Sequence, residues 1–485
     1  MQGKNKKRRI SKIVLMKFSL VISFILVFLT ISCASIDSSL KLNEETNSKT
    51  SISQGSQTSS SIQENQASQD TKNNSYSQDT NEGVENSSYN NKNSGKVVFL
   101  EITSDPKSNH FEHRVANIYS KDVISGNKEL IFSDINEKFE IGQVFSISPD
   151  GNKILCDMVE GGRGAYSAIC FIDIPKKTLK VLDKFDFTKN EGANITSAYY
   201  GKPIWSSDSK FIAYEVISNP FSNNIRDGGI FKINIETGEK KEIELNVEGA
   251  SIRSTLFLSP IFFFENNKKI ACVFHTYNEI NKSSESPILS TRNEEVVYIT
   301  EETGEVNFLF DLAAFKNEGP EIISSFDNFK YIGKKESFIF HVLGDFEEDG
   351  DIWIANIRDS SVKKLTNDNN LREQQPDFYI DSDGQIKITY VGVKRYGTIS
   401  NQIPSGDIYL SDLSGNNIEK LTSYEVGTFK PITSPDGKSI AYMHAIYDDN
   451  FENILQTDIE TINISTKKIT KIAQNSYSIL VGWIK

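Results

Sequence analysis

The 485-residue chain is poor in cysteine (4), methionine (4), tryptophan (3) and histidine (5). Cys33, Cys156, Cys170 and Cys272 are too few and too scattered for a disulfide framework. No Cys/His group has zinc spacing, and there is no Gly-rich phosphate loop and no G-x-S-x-G nucleophile motif, so no cofactor, metal-ligand set or catalytic residue is expected. Positive charge is scarce too: the chain carries −12, and −19 remains for residues 33–485 once the seven Lys and Arg of the first 32 residues are set apart. Such a body repels nucleic acid and anionic lipid and favours cationic or neutral partners. Long apolar runs are also missing. The uncharged stretch Phe18–Ser32 is shorter than the about 20 apolar residues a membrane span needs.

That stretch has a context. Lys4, Lys6, Lys7, Arg8, Arg9, Lys12 and Lys17 precede or open it without an acid, and Cys33 follows it. The order resembles a bacterial lipoprotein signal. Ile31 and Ser32 fit the residues before the cysteine, and Thr30 departs from the pattern where Leu is commonest. The resemblance implies a signal peptide over 1–32, lipidation of Cys33 and an extracytoplasmic, membrane-anchored body. Residues 33–95 are mostly Ser, Asn, Gln, Thr and charged residues, with Tyr76 and Tyr89 as the only aromatics. They have too little apolar surface to offset the entropy of ordering and read as a disordered tether. A flexible chain of this length reaches roughly 40–50 Å.

The rest, 96–485, repeats itself. "SISPDGNKILCDM" at 146, "IWSSDSKFIAYEV" at 204 and "TSPDGKSIAYMHA" at 433 are versions of one line. Aligned on the apolar residue that opens its second half, the repeats fall at Val97, Leu155, Ile212, Ile270, Phe338, Ile388 and Ile440. In "SPDG", Pro pre-sets φ, Asp suits the second central place and Gly takes the positive φ, so one strand folds back on the next. A further strand follows in each unit, such as "IYSKD" at 118, "IWIAN" at 352 or "IYLSD" at 408. Its fifth place holds Asp or Asn in six of seven units, residues that bond the backbone of a turn beyond them. A closing strand such as "VKKLT" at 362 completes the unit.

Four short strands per unit, repeated, predict an all-β fold: a β-propeller of seven four-stranded blades. The "SPDG-x-x-IAY" and "IYLSD" lines at 434 and 408 resemble the TolB-type propeller repeat over nearly all of 96–485. The resemblance implies the fold; TolB itself carries an extra α/β domain that this chain lacks. The ends predict closure. "SILVGWIK" at 478–485 matches the strand before "SPDG", and "GKVVFLEI" at 95–102 matches the strand after it, so one blade should hold both termini.

Function is less legible. The short turns share one end of the ring, and the long segments 183–200, 276–293, 391–406 and 444–456 share the other, where binding is expected. The expectation is a monomeric, non-catalytic module for a protein, peptide or glycan. The alternative is a polysaccharide lyase or hydrolase with His, acid and Arg clustered at the channel mouth. His275, His341 and His444 end the strands that enter the long-loop face and read as polar loop-edge residues. "DFEEDGD", 345–351, has oxygens at alternate places as a calcium loop does, but Asn356 replaces the bidentate Glu, so it reads as a solvated acidic loop. Cys156 and Cys170 fall on neighbouring strands, as a bridge or, in the favoured reading, as two buried thiols.

Overall fold

The computed structural model describes residues 95–485 apart from 105–113, 136–139, 161–165, 187–197, 201, 219–227, 246–256, 281–287, 316–322, 345–349, 367, 369, 395–405, 425–426, 448–453 and 475–476. The expected signal peptide, Cys33 and the tether up to residue 94 lie outside the described residues.

The described chain is a seven-bladed β-propeller. Each blade is an antiparallel meander, and the first strands of adjacent blades touch one another at six of the seven seams, so the first strand is innermost and lines the channel. Blades 2 to 7 span 140–186, 198–243, 257–311, 323–364, 371–420 and 428–473. In blade 3 the first strand is broken into Ala198–Tyr200 and Ile204–Trp205. Blade 1 takes Tyr477–Ile484 as its innermost strand and Lys96–Ser104, Arg114–Asp122 and Lys128–Ser133 as the next three. The register runs from Lys96 opposite Ile484 to Ile102 opposite Tyr477. The predicted closure is therefore what the structure shows.

Apolar side chains on both faces of each sheet explain the ring. The core is not one mass but seven clusters, one at each seam between blades. The seam between blades 4 and 5 is the most aromatic: Phe262 stacks on Tyr331 at 4.7 Å, and Phe315 meets Trp353 edge-on at 4.7 Å. The closing seam, between blades 7 and 1, packs Val97, Phe99, Leu480 and Trp483 against Ala441, Met443 and Ile459. Trp483 also donates its indole N–H to the Ile432 carbonyl at 2.9 Å.

The turns form as their residues dictate. In the hairpins at 148, 206 and 434 the serine hydroxyl donates to the aspartate two residues on and accepts the backbone N–H five residues on, at 2.9 Å each time. Gly151 and Gly437 take positive φ; in the worn copy Ser209 does so instead, at φ 60°. The six Asp and Asn residues at the outer turns, such as Asp412 and Asn356, accept the N–H groups two to four residues beyond them. The exception, Glu301, pairs instead with Lys232. Blades 5, 6 and 7 share a further device. Asp351, Asp407 and Asp458, each buried on a third strand, pair with Lys364, Lys420 and Lys471 of the fourth.

Cys156 and Cys170 stand directly opposite each other as buried free thiols. Burial pushes both thiols up, Cys170 to about 12, so neither is a thiolate at neutral pH.

Removing residues 477–485 should unseat the ring. Leu480, Val481, Trp483 and Ile484 are all buried, whereas Ile479 faces outward. Each large buried side chain contributes roughly 1.5–3 kcal/mol, so the loss rivals the about 5–15 kcal/mol of a whole domain. The truncated chain is expected to aggregate or melt far below the intact one in a thermal scan, while deletion of 60–68 leaves the melting temperature unchanged. Equal melting of truncated and intact chains would refute the closure.

Candidate functional site: the central channel

A uniform ring has little to offer a ligand, so the informative residues are those that break the repeat. The innermost strands of blades 5, 6 and 7, Ile323–Ile332, Leu371–Ile380 and Thr428–Thr433, are each bulged midway. Asn328–Phe329, Gln375–Pro376 and Lys430–Pro431 each put two residues opposite one on the second strand. The first residue of each pair is left-handed, with φ of 53°, 54° and 54°. That conformation is unfavourable for residues with a Cβ and persists only where neighbours enforce it. Gln375 Oε1 accepts from Lys430 N at 2.6 Å, and Asp377 Oδ2 accepts from Thr433 N at 2.8 Å, so blade 6 pins the inner strand of blade 7. Such bulges re-aim the side chains that follow.

Three lysines sit on or beside the inner strands, two of them at these bulges. Lys430 lies in the blade 7 bulge, Lys330 follows the blade 5 bulge, and Lys202 precedes the inner strand of blade 3 at Ile204–Trp205. Lys430 Nζ donates to the Leu480 carbonyl of blade 1 at 2.5 Å. Lys330 Nζ stands 3.3 Å from Asp377. Among the described residues no acceptor lies within hydrogen-bonding distance of Lys202. Lys202 is solvent-exposed, yet desolvation by the surrounding protein lowers its proton affinity; Lys330 lowers it further, while Asp327 opposes the change. Burial, then Lys202 and Lys330, bring Lys430 down to about 8.

Carboxylates and histidines form two further groups, one on blade 5 and one on blade 7. His341 of blade 5, 2% exposed, holds Asp327 of the inner strand at 2.9 Å through Nδ1. Its Nε2 and Arg372 both crowd Gly350, where a methyl group would come within 2.5 Å of the nitrogen and 3.0 Å of Arg372 Cγ. In blade 7, Glu460 is fully buried and accepts hydroxyl bonds from Tyr424 at 2.7 Å and Tyr442 at 3.0 Å. His444 stacks on Tyr424 with ring centroids 4.0 Å apart, its Nδ1 3.6 Å from Glu460 Oε1. Burial pushes the Glu460 carboxyl up, but the histidine and the two hydroxyls outweigh it and hold the group below its ordinary value. Glu460 is itself a break in the repeat, since Tyr119, Phe231, Tyr298, Trp353 and Tyr409 occupy its place in five other blades. Asp157 of blade 2 is another carboxylate within a sheet, opposite Ile169 of the third strand. Burial raises its carboxyl to about 6 even though Gln143 N donates to it.

The structure thus changes the reading of the histidines. His341 is interior, not at a loop edge, and His341 and His444 serve different carboxylates on different blades. The side chain of His275 lies outside the described residues, as do 345–349 of the acidic loop; Asp351, the last acid of that loop, pairs with Lys364 at 2.8 Å. Sequence reasoning missed the lysines, although a signal existed: "KPIW" at 202 and "KPIT" at 430 put the same Lys-Pro-Ile before the same turn.

No family model and no curated protein matches the chain. Several solved structures do. An oligogalacturonate lyase from Vibrio parahaemolyticus aligns with 79% of this chain and 87% of its own at 14% identity and a TM-score of 0.45. TolB from Acinetobacter baumannii aligns over 80% and 66% at 14% identity and 0.37. The β-propeller domain of the Trilobed protease from Pyrococcus furiosus aligns over 79% and 93% at 12% identity and 0.46. No residue role passes from these proteins to this chain.

The channel electrostatics set a pH dependence. Because Lys430 has a lower pKa folded than unfolded, the unfolded chain binds more protons between about 8 and the ordinary lysine value of about 10.4. The cost of holding it charged is therefore present in full below about pH 8 and is relieved as pH rises from there. In anion-poor buffer, the melting temperature of Lys430→Met minus that of wild type should fall between pH 7 and 9.5. A difference that stays constant over this range would contradict the assignment.

Proposed function

We propose that the chain is a lipid-anchored, extracytoplasmic propeller that acts as a binding module for a protein, peptide or glycan. In this reading residues 1–32 direct export, Cys33 carries the lipid, and 33–95 hold the propeller away from the membrane surface. The observation that supports binding is the contrast between the two ends of the ring. One end consists of turns four or five residues long, held by the serine, Asp and Asn bonds described above. At the other end the connections run to twelve residues at 395–406, and the strands Lys269–Ile280 and Ile288–Thr300 extend well beyond their neighbours. Long connections on a rigid frame are where recognition usually sits.

A second reading, a lyase or hydrolase at the channel mouth, draws on Asp327, His341 and Arg372. His341, however, is buried and its free ring nitrogen is packed against Gly350, which keeps it from a substrate. This favours binding over catalysis.

Two measurements on the intact chain test the proposal. Cys33→Ala should move the protein out of the detergent phase in Triton X-114 partitioning; wild-type partitioning of the variant would defeat the anchor. Alanine substitutions across 395–405 should reduce crosslinked partner recovered from intact cells, while substitutions in the 236–239 turn should leave it unchanged. Equal losses from both ends, with folding intact, would defeat the assignment of the working face.

A further inference from the structure

The channel lysines are difficult to explain as structure. The chain around them is strongly acidic, yet lysines are placed on the innermost strands of blades 5 and 7 and, as Lys202, in the break of the innermost strand of blade 3. In a ring of seven, blades 3, 5 and 7 are two, two and three blades apart, so the three lysines start from different sides of the ring. Only Lys330 has an acidic partner within ion-pair distance, Asp377, and that carboxylate is also engaged by Thr433 N. Asp327, the other acid near this wall, is engaged by His341. Lys430 reaches one backbone carbonyl and Lys202 reaches no acceptor among the described residues. Lys330 raises the cost of charging Lys202, and Lys202 and Lys330 both raise that of charging Lys430. Like charges gathered in a confined space are unfavourable without a counter-ion. Packing does not require them, since an apolar residue would line the bulge at lower cost. Lys430 is moreover presented from a left-handed backbone, a strain of the kind found where a side chain must be aimed.

We propose that the central channel binds a small polyanion, with its carboxylate or phosphate oxygens held between the ammonium groups of Lys202, Lys330 and Lys430. This rests on the binding reading above and deepens it by naming the ligand chemistry of the channel. A lysine is a compact point charge without the planar fork of arginine, so the site selects charge and size rather than one oxyanion geometry. Neutral sugars and cations gain nothing from it. The negative body slows the approach of an anion, so the site relies on close contact rather than long-range steering.

Isothermal titration calorimetry on the purified full chain at low salt, with citrate and with pyrophosphate as separate probes, tests this. At least one probe should bind with one-to-one stoichiometry, and added salt should weaken it. Lys202→Gln and Lys430→Gln should each weaken binding by about tenfold or more, the range expected for loss of a charge-assisted contact. Lys176→Gln, at an exposed outer turn, should bind as wild type. Thermal scans check that the channel variants are folded, and a bound probe should raise the wild-type melting temperature more than theirs. Binding of citrate alone identifies carboxylate as the ligand chemistry, and binding of pyrophosphate alone identifies phosphate. The proposal is overturned if neither probe binds, or if folded channel variants bind as tightly as wild type. Partner capture through 395–405 is read separately, so failure of the anion site leaves the binding reading standing or falling on its own result.

Discussion

Each blade is a sheet with apolar side chains on both faces, and no blade can bury either face by itself. The rest of the structure depends on that constraint. Seven clusters of buried side chains lie at seven seams, and each is shared by two blades. An open array would leave a face exposed at each end, together with an unpaired strand edge that invites aggregation. Pairing of Tyr477–Ile484 with Lys96–Ser104 removes both problems, because the last strand of the chain becomes the innermost strand of the first blade. The terminus is thereby as structural as any interior strand.

The same constraint explains where function can reside. Seam positions are committed to packing and the short turns to their own hydrogen bonds. What remains variable is the channel lining and the end with the long connections. Lysines at Lys202, Lys330 and Lys430 fall on or beside the inner strands, and Glu460, on the third strand of blade 7, puts a carboxylate where most blades carry an aromatic. Burying Glu460 is unfavourable in isolation, and the Tyr424 and Tyr442 hydroxyls offset it. Without them a carboxylate could not occupy the seam between blades 6 and 7.

How much of this was legible in the sequence follows from range. Turn chemistry is local, so "SPDG" and the Asp or Asn five places into the third strand could be read directly. Blade number and closure came from counting one repeated line and noticing that "SILVGWIK" and "GKVVFLEI" complete each other. The burial of Leu480 in place of Ile479 could not be read, because the bulge at Val481 shifts the alternation by one residue. The channel was least legible. Lys202 and Lys430 are 228 positions apart, and only ring closure brings their strands to one axis. A net charge of −12 argued for cationic partners because it averages over the surface and says nothing of three lysines facing inward. The left-handed bulges at Gln375 and Lys430 lack the glycine that marks the outer turns, and only the proline after each is shared.

The central claim is that the last strand closes the ring and shares its stability. Amide hydrogen exchange of the intact chain measures this residue by residue, because protected amides report the free energy of the opening that exposes them. The account predicts that the paired amides of Tyr477–Ile484 exchange as slowly as those of Lys96–Ser104 and of the inner strand at Thr428–Thr433, through a common global opening. Fast exchange of the last strand, with the other two still protected, would show a frayed terminus lying against a ring closed in some other way, and would contradict the account.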